Sequence, residues 1–279
     1  ENLESNAAAR IKAHYGVDAS FPGQTPVIPL AVTEGWLKPR DRRACREALH
    51  LPPEDVVLLY MGRLSIDKKG DLTPLLYAFR RLVDLHGGRL TLILAGGANQ
   101  SNQKMLNVTA QSLGITSQVR VLPNITDAVK DHLYGAADVF VSPIDSLQET
   151  FGISIVEAMA SGLPVVASGF DGYRELVVDG QTGFLLPTLW GPAPSEITQL
   201  GAVVEPSVSQ LLISQNVAPN VVQLESRLNQ LIGDPALRRS MGQAGRNRAR
   251  ERFIWPVVIR QYLSLWQDLQ GRLPEIPPR

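Results

Sequence analysis

What this 279-residue sequence lacks narrows it first. One cysteine, Cys45, excludes internal disulfides and any cysteine-built metal cluster, and it fits a reducing, cytoplasmic setting. Formal net charge is zero, from 27 basic and 27 acidic residues, and no Lys/Arg run is long enough to follow a phosphate backbone. A nucleic-acid partner is therefore not expected. No apolar stretch approaches the ~20 residues that span a bilayer, and the opening residues do not read as a secretory signal. Nowhere are two glycines spaced as G-x-G, so the dinucleotide fingerprint is missing; no Gly-Lys dipeptide exists, so a Walker phosphate loop is missing too. No aspartates are spaced as D-x-D, and His14, His50, His86 and His132 are scattered singly, as surface or helix-end residues would be. No metal-ligand set is legible.

What is present is an alternation. Val56 to Met61 is a continuous apolar run ending at Gly62, followed by a helical segment from Asp71 to about Leu85. Leu90 to Ala95, Val119 to Leu122, Val139 to Ser142 and Pro164 to Ala167 repeat the theme, and Gly183 to Leu186 reads as a sixth strand. Apolar strands alternating with amphipathic helices predict an α/β domain: a Rossmann-like parallel sheet with helices on both faces. Such sheets bind ligands at the carboxyl ends of their strands. Those ends are Gly62-Arg63, Gly96-Gly97, Leu122 to Asn124, Ser142 to Glu149 and Ser168 to Gly172.

Two of those ends carry chemistry. In LQETFGISIVEAMASGLPVV, Leu147 to Val166, Gly152 is expected to open a helix that Gly162 ends and Pro164 prevents from continuing. Glu149 then precedes the helix and Glu157 lies in its second turn. A charged first turn and a solvated face would explain two such glutamates. Glu157, however, sits among Ile155, Val156, Ala158, Met159 and Ala160, where a carboxylate is usually paired or functional. The opening N–H groups of Gly152, Ile153 and Ser154 would favour a phosphate. The second end, Gly62 to Leu72, places Arg63, Lys68 and Lys69 in a glycine-flanked loop after the first strand. Alone it reads equally well as a charged loop tip; at the ligand edge of the same sheet it reads as a phosphate site.

GRLSIDKKGDL, VRVLPNITD, ADVFVSP, ETFGISIVEAMASGLPVVAS and DGYRELVVDGQTGFLL, in that order, resemble the donor-binding half of the retaining glycosyltransferases with two Rossmann-like domains, the glycogen-synthase and mannosyltransferase-like group. The resemblance runs from about Val56 to Leu186 and resumes from Asp234-Pro235 to Trp255. It implies that Arg63 and Lys69 contact the donor pyrophosphate; Lys68 stays open as an alternative to Lys69. It implies that Glu149 lies beside the transferred sugar, with Gly62 and Phe151, Gly152, Ile153 and Ser154 around sugar and phosphate. Glu157 would accept the ribose hydroxyls, and the loop at Leu122 to Asn124 would flank the base.

The same resemblance sets the wider expectations. Residues 1–50 are expected to be the tail of an N-terminal domain and a linker, 51–252 the donor-binding domain with an insertion at about 187–220, and 253–279 a crossover helix bearing Trp255, Tyr262 and Trp266. Glu1 is not methionine, and a fragment lacking the N-terminal acceptor domain, inactive alone, is expected. The substrate would be a UDP- or GDP-linked hexose, no metal or other cofactor would be required, and the acceptor would be a glycan, lipid or small molecule. The setting would be cytoplasmic, or peripheral at the inner face of a membrane. Two rival readings keep the fold, namely a nucleotide-sugar epimerase and a non-catalytic nucleotide-sugar-binding module.

Overall fold

The computed structural model describes residues 2–16, 18, 26–66, 69–145, 151–191, 208, 212–214 and 216–272. Its contacts divide the chain into Ala31–Trp255, which holds the sheet, and a second unit of Glu1–Leu30 with Pro256–Arg279.

In the larger unit the apolar runs become strands β1 (Val56–Met61), β2 (Leu90–Gly96), β3 (Val119–Pro123), β4 (Val139–Ser142), β5 (Val165–Ser168) and β6 (Gly183–Leu186). They form one parallel sheet in the order β3-β2-β1-β4-β5-β6. β1 is central: Leu58 pairs with Leu92 on one side and with Val139 on the other. Val57 to Tyr60, Leu92, Leu94 and Val139 to Val141 have no accessible surface, which is why these strands are unbroken apolar runs and not alternating ones. Strand order reverses between β1 and β4, and the crevice beyond their carboxyl ends is where sheets of this kind take ligands.

The connecting helices are set by their ends. α1 (Asn2–Tyr15) belongs to the smaller unit; a 3-10 turn (Glu34–Leu37) and α2 (Arg42–Ala48) precede the sheet. Asp71 Oδ1 accepts from Thr73 N at 2.8 Å where α3 (Thr73–Leu85) begins. Asn99 caps α4 (Gln100–Ser112), and Thr126 caps α5 (Asp127–Ala136), each through a side-chain oxygen. α6 (Ile153–Ala160) starts at Gly152 and is followed by a single turn, α7 (Tyr173–Leu176). Asn220 and Asp234 cap α8 (Val221–Gly233) and α9 (Pro235–Arg252). α3 packs on α4 and α8, α5 on α2, and α6 on α9.

Below the sheet's amino ends lies a buried ion pair. Arg46, 4% exposed, donates to Asp138 at 2.7 Å and to the carbonyls of Ala136 and Pro53, while Asp138 also accepts from Val57 N. This pair ties α2 to the start of β1 and β4. Cys45 is buried and unbridged.

Two expectations change. Leu122, read both as the end of a strand and as the start of the loop to Asn124, belongs with Pro123 to β3, opposite Ala95 and Gly96, and the loop starts at Asn124. Phe253 and Ile254 do not open the last helix, because Ile254 bridges to Val32; α10 runs Trp255–Arg272. The 187–220 stretch, expected as an insertion, carries β7 (Thr188–Trp190) and β8 (Val217–Pro219), which pair antiparallel at its two ends. Most residues between them lie outside the described set.

In the smaller unit, α10 exposes Leu263, Trp266 and Leu269, and the Tyr262 and Trp266 rings lie 6.1 Å apart. Among the described residues no helix is long and apolar enough to cross a membrane.

Candidate active site

The site is built where β1 and β2 end. A β-carbon on Gly96 would lie 1.9 Å from the Gly62 carbonyl oxygen, and Gly96 has φ of +137°, so only glycine fits this approach of two strand ends. Arg63 follows with an exposed side chain, its carbonyl 3.3 Å from the hydroxyl of the buried Tyr60. Leu64 N donates to Gly97 O at 2.7 Å, pinning the loop after β1 onto the loop after β2.

Lys69 closes that loop, donating its backbone N–H to Ser65 O at 2.9 Å. Its half-buried side chain lies over Gly62, with Cε 3.4 Å from where a β-carbon there would stand. Burial, helped by the nearby Arg63 guanidinium, lowers the Lys69 ammonium to about 8. The structure thus brings Arg63 and Lys69 together at the strand end. Lys68 and Glu149 lie outside the described residues.

Across the switch point, the loop after β4 is latched to this cation loop. Asp145 Oδ1 accepts from Asp71 N at 3.2 Å and lies 2.7 Å from where a β-carbon on Gly70 would stand. Burial raises the Asp145 carboxyl to about 6, against the backbone hydrogen bonds that lower it. Asp145 was not singled out from sequence; a lone loop aspartate has no pattern, and its partners come from the adjacency of β1 and β4.

Gly152 then turns the chain into α6 with φ of +95°, its α-carbon so close to Tyr173 that a β-carbon would meet the ring at 2.4 Å. Tyr173 is fixed in turn, its hydroxyl 3.0 Å from Ser142 Oγ at the end of β4. Phe151, half-buried, stands edge-on to Phe253 at 6.0 Å. Ile153 is 41% exposed at the mouth, and Ser154 follows it in the opening turn. A helix leaves its first N–H groups without intrahelical partners, so this end can receive an anion.

Glu157 is buried at 6% exposure, as its apolar neighbours implied, and it is paired. Lys130 Nζ donates to Oε1 at 2.6 Å and the Tyr134 hydroxyl to Oε2 at 2.9 Å. Both partners come from α5, four residues apart, and neither was singled out from sequence. At the far side, Asn124 adopts φ of +52° and locks the loops after β2 and β3 together: its amide accepts from Ala98 N at 3.2 Å and donates to Ala98 O at 3.1 Å. Leu122, half-buried in β3, stands beside it. Among the described residues no group of three or more His, Cys, Asp or Glu is placed to hold a metal ion.

The chain and its fold have known counterparts. The glycosyl transferases group 1 family matches residues 41–189, and the chain belongs to that family. It is 34% identical over 191 residues to D-inositol 3-phosphate glycosyltransferase 2 of Catenulispora acidiphila, a match covering 66% of this chain and 43% of that protein. It is 36% identical over 187 residues to the D-inositol 3-phosphate glycosyltransferase of Geodermatophilus obscurus, covering 65% and 40%. The chain thus spans less than half the length of these relatives. In fold it is similar to sucrose-phosphate synthase from Thermosynechococcus elongatus (TM-score 0.68, 23% identity, covering 97% of this chain and 57% of that one). It is also similar in fold to HepE from Anabaena in complex with UDP and glucose (TM-score 0.64, 24% identity, covering 88% and 58%).

Proposed function

We propose that this chain is the donor-binding half of a retaining hexosyltransferase that takes a hexose from a UDP- or GDP-linked sugar, without needing a metal. The observation that carries the reading is the pairing of Arg63 with Lys69 at the end of β1, latched through Asp145 to the loop after β4. The HepE structure contains UDP on the same fold, and the curated relatives are named as glycosyltransferases.

Breaking the sugar–phosphate bond leaves negative charge on the departing diphosphate. Fixed donors aimed at that charge stabilise it most in the transition state. Arg63 and Lys69 would supply two charge-assisted contacts of roughly 1.5–3 kcal/mol each. The opening N–H groups of Ile153 and Ser154 would add the helix-end term, up to ~2 kcal/mol. Such fixed cations and dipoles do the work that a metal would otherwise do, and no D-x-D pair is present. Glu157 would accept the ribose hydroxyls, and Leu122 and Asn124 would border the base. Glu149 would stand beside the transferred hexose. Turnover would need an acceptor-binding domain, and the acceptor would be a glycan, a lipid or a small molecule.

The test is a calorimetric titration of the chain with UDP, GDP and ADP and their glucose and mannose conjugates, with and without magnesium. One nucleoside diphosphate should bind equally well in both conditions, and Arg63→Ala should weaken it about tenfold or more, tenfold being ~1.4 kcal/mol. Affinity that survives both Arg63→Ala and Lys69→Ala overturns the phosphate assignment. Among full-length products, interconversion of free nucleotide-sugars would favour an epimerase instead.

A further inference from the structure

We propose that Lys130 is a positioning residue of the donor site: its ammonium, seated against the indole of Trp36, holds the Glu157 carboxylate in the orientation that receives the ribose hydroxyls. This rests on the donor-site reading above.

The Glu157 carboxylate, at 6% exposure, must be partnered, and here each oxygen takes one donor, Lys130 at 2.6 Å and Tyr134 at 2.9 Å. An ionised carboxylate offers about four acceptor positions, so both oxygens keep capacity for a ligand hydroxyl. The two donors fix the plane of the group. They sit four residues apart on one face of α5, and α5, like α6, begins at the ligand edge of the sheet.

Lys130 is itself held. Its Nζ lies 5.1 Å from the centre of the Trp36 ring, within cation–π range. That ring stands edge-on to Tyr134 at 5.0 Å and has a second cation, the Arg40 guanidinium, 5.0 Å from its centre. Arg40 donates to Asp131 at 2.8 Å and to the Trp36 carbonyl and Ser161 Oγ, both at 3.2 Å. Ser161 Oγ then donates to the Glu157 carbonyl at 2.8 Å. The contacts close a ring from Glu157 through Lys130, Trp36, Arg40 and Ser161 back to Glu157. The 3-10 turn that carries Trp36 is tied down from α9 as well, where Arg246 donates to the Leu37 carbonyl.

The experiment separates positioning from stability by truncating the ligand. UDP and 2′,3′-dideoxy-UDP are titrated into the chain and its variants, with GDP and dideoxy-GDP as a second pair. The wild-type chain should prefer the ribose form by about tenfold or more. Lys130→Met should weaken UDP about tenfold and leave dideoxy-UDP unchanged, with Lys130→Arg restoring part of the preference. Trp36→Leu keeps both charges and should shift the preference the same way by less; it carries the test if Lys130→Met does not fold. Equal losses for both ligands, or an unchanged preference in every variant, overturn the role of Lys130. A wild-type chain that binds neither UDP nor GDP overturns the donor-site reading itself.

Discussion

Raising the pH from 7 to 9 should loosen a nucleoside diphosphate from this chain by about tenfold, and Lys69 is the reason. Burial beside Arg63 lowers the Lys69 ammonium from 10.5 to about 8. At pH 7 about nine-tenths of the chains then carry the charge and at pH 9 about one-tenth, each unit being worth ~1.4 kcal/mol between the two forms. A diphosphate binds the charged form, so binding takes up a proton above pH 7. Calorimetry in buffers of different ionisation enthalpy reads both the affinity and the proton uptake. Lys69→Arg keeps its charge throughout and should bind with a flat profile from pH 7 to 9. A flat wild-type profile, or the same slope in Lys69→Arg, refutes the assignment. The stability sign follows from the same depression. With its folded value below its unfolded one, Lys69 contributes stability above 10.5 that is lost as pH falls through about 8.

Asp145 gives the opposite sign, its folded value being raised from 3.8 to about 6. The stability it contributes is full below 3.8 and lost as pH rises through about 6, so Asp145→Asn, which keeps an acceptor for Asp71 N, should flatten urea-denaturation stability between pH 4.5 and 7.5. Gly152→Ala places a β-carbon 2.4 Å from the Tyr173 ring at a φ of +95°, and should cost about 2–4 kcal/mol in thermal or urea unfolding. Arg46→Met leaves the buried Asp138 without its buried guanidinium partner, although the half-exposed Arg42 remains at 2.5 Å. A loss of about 3 kcal/mol is expected, less if Arg42 compensates, and an unchanged urea midpoint would contradict it.

Much of the fold was legible because the sheet is parallel and buried. β1, β4 and β6 begin and end where the apolar runs do, since no solvent-facing side chain interrupts them. Glu157 could be singled out because a carboxylate among Ile155, Val156 and Ala158 contradicts its neighbourhood. Its partners could not be found that way: Lys130 and Tyr134 are ordinary residues on an ordinary helix, brought to Glu157 only by the packing of α5 against its neighbours. Trp36 in the segment before the sheet was silent for the same reason. The late helix was drawn two residues too early because local periodicity carries no trace of the bridge from Ile254 to Val32. The β7–β8 pair was missed because three-residue strands joined through a long insertion give neither a hairpin turn nor an alternating run.

A nucleoside diphosphate is proposed to bind beyond the carboxyl ends of β1 and β4, and backbone amide shifts on titration with UDP or GDP test this most directly. Binding there should give the largest changes at Gly62, Arg63, Gly97, Ile153 and Ser154. That placement would be contradicted by saturable binding that leaves those amides still and moves instead those of the cleft at the sheet's opposite end, lined by Arg42, Asp138, Pro164 and Arg238.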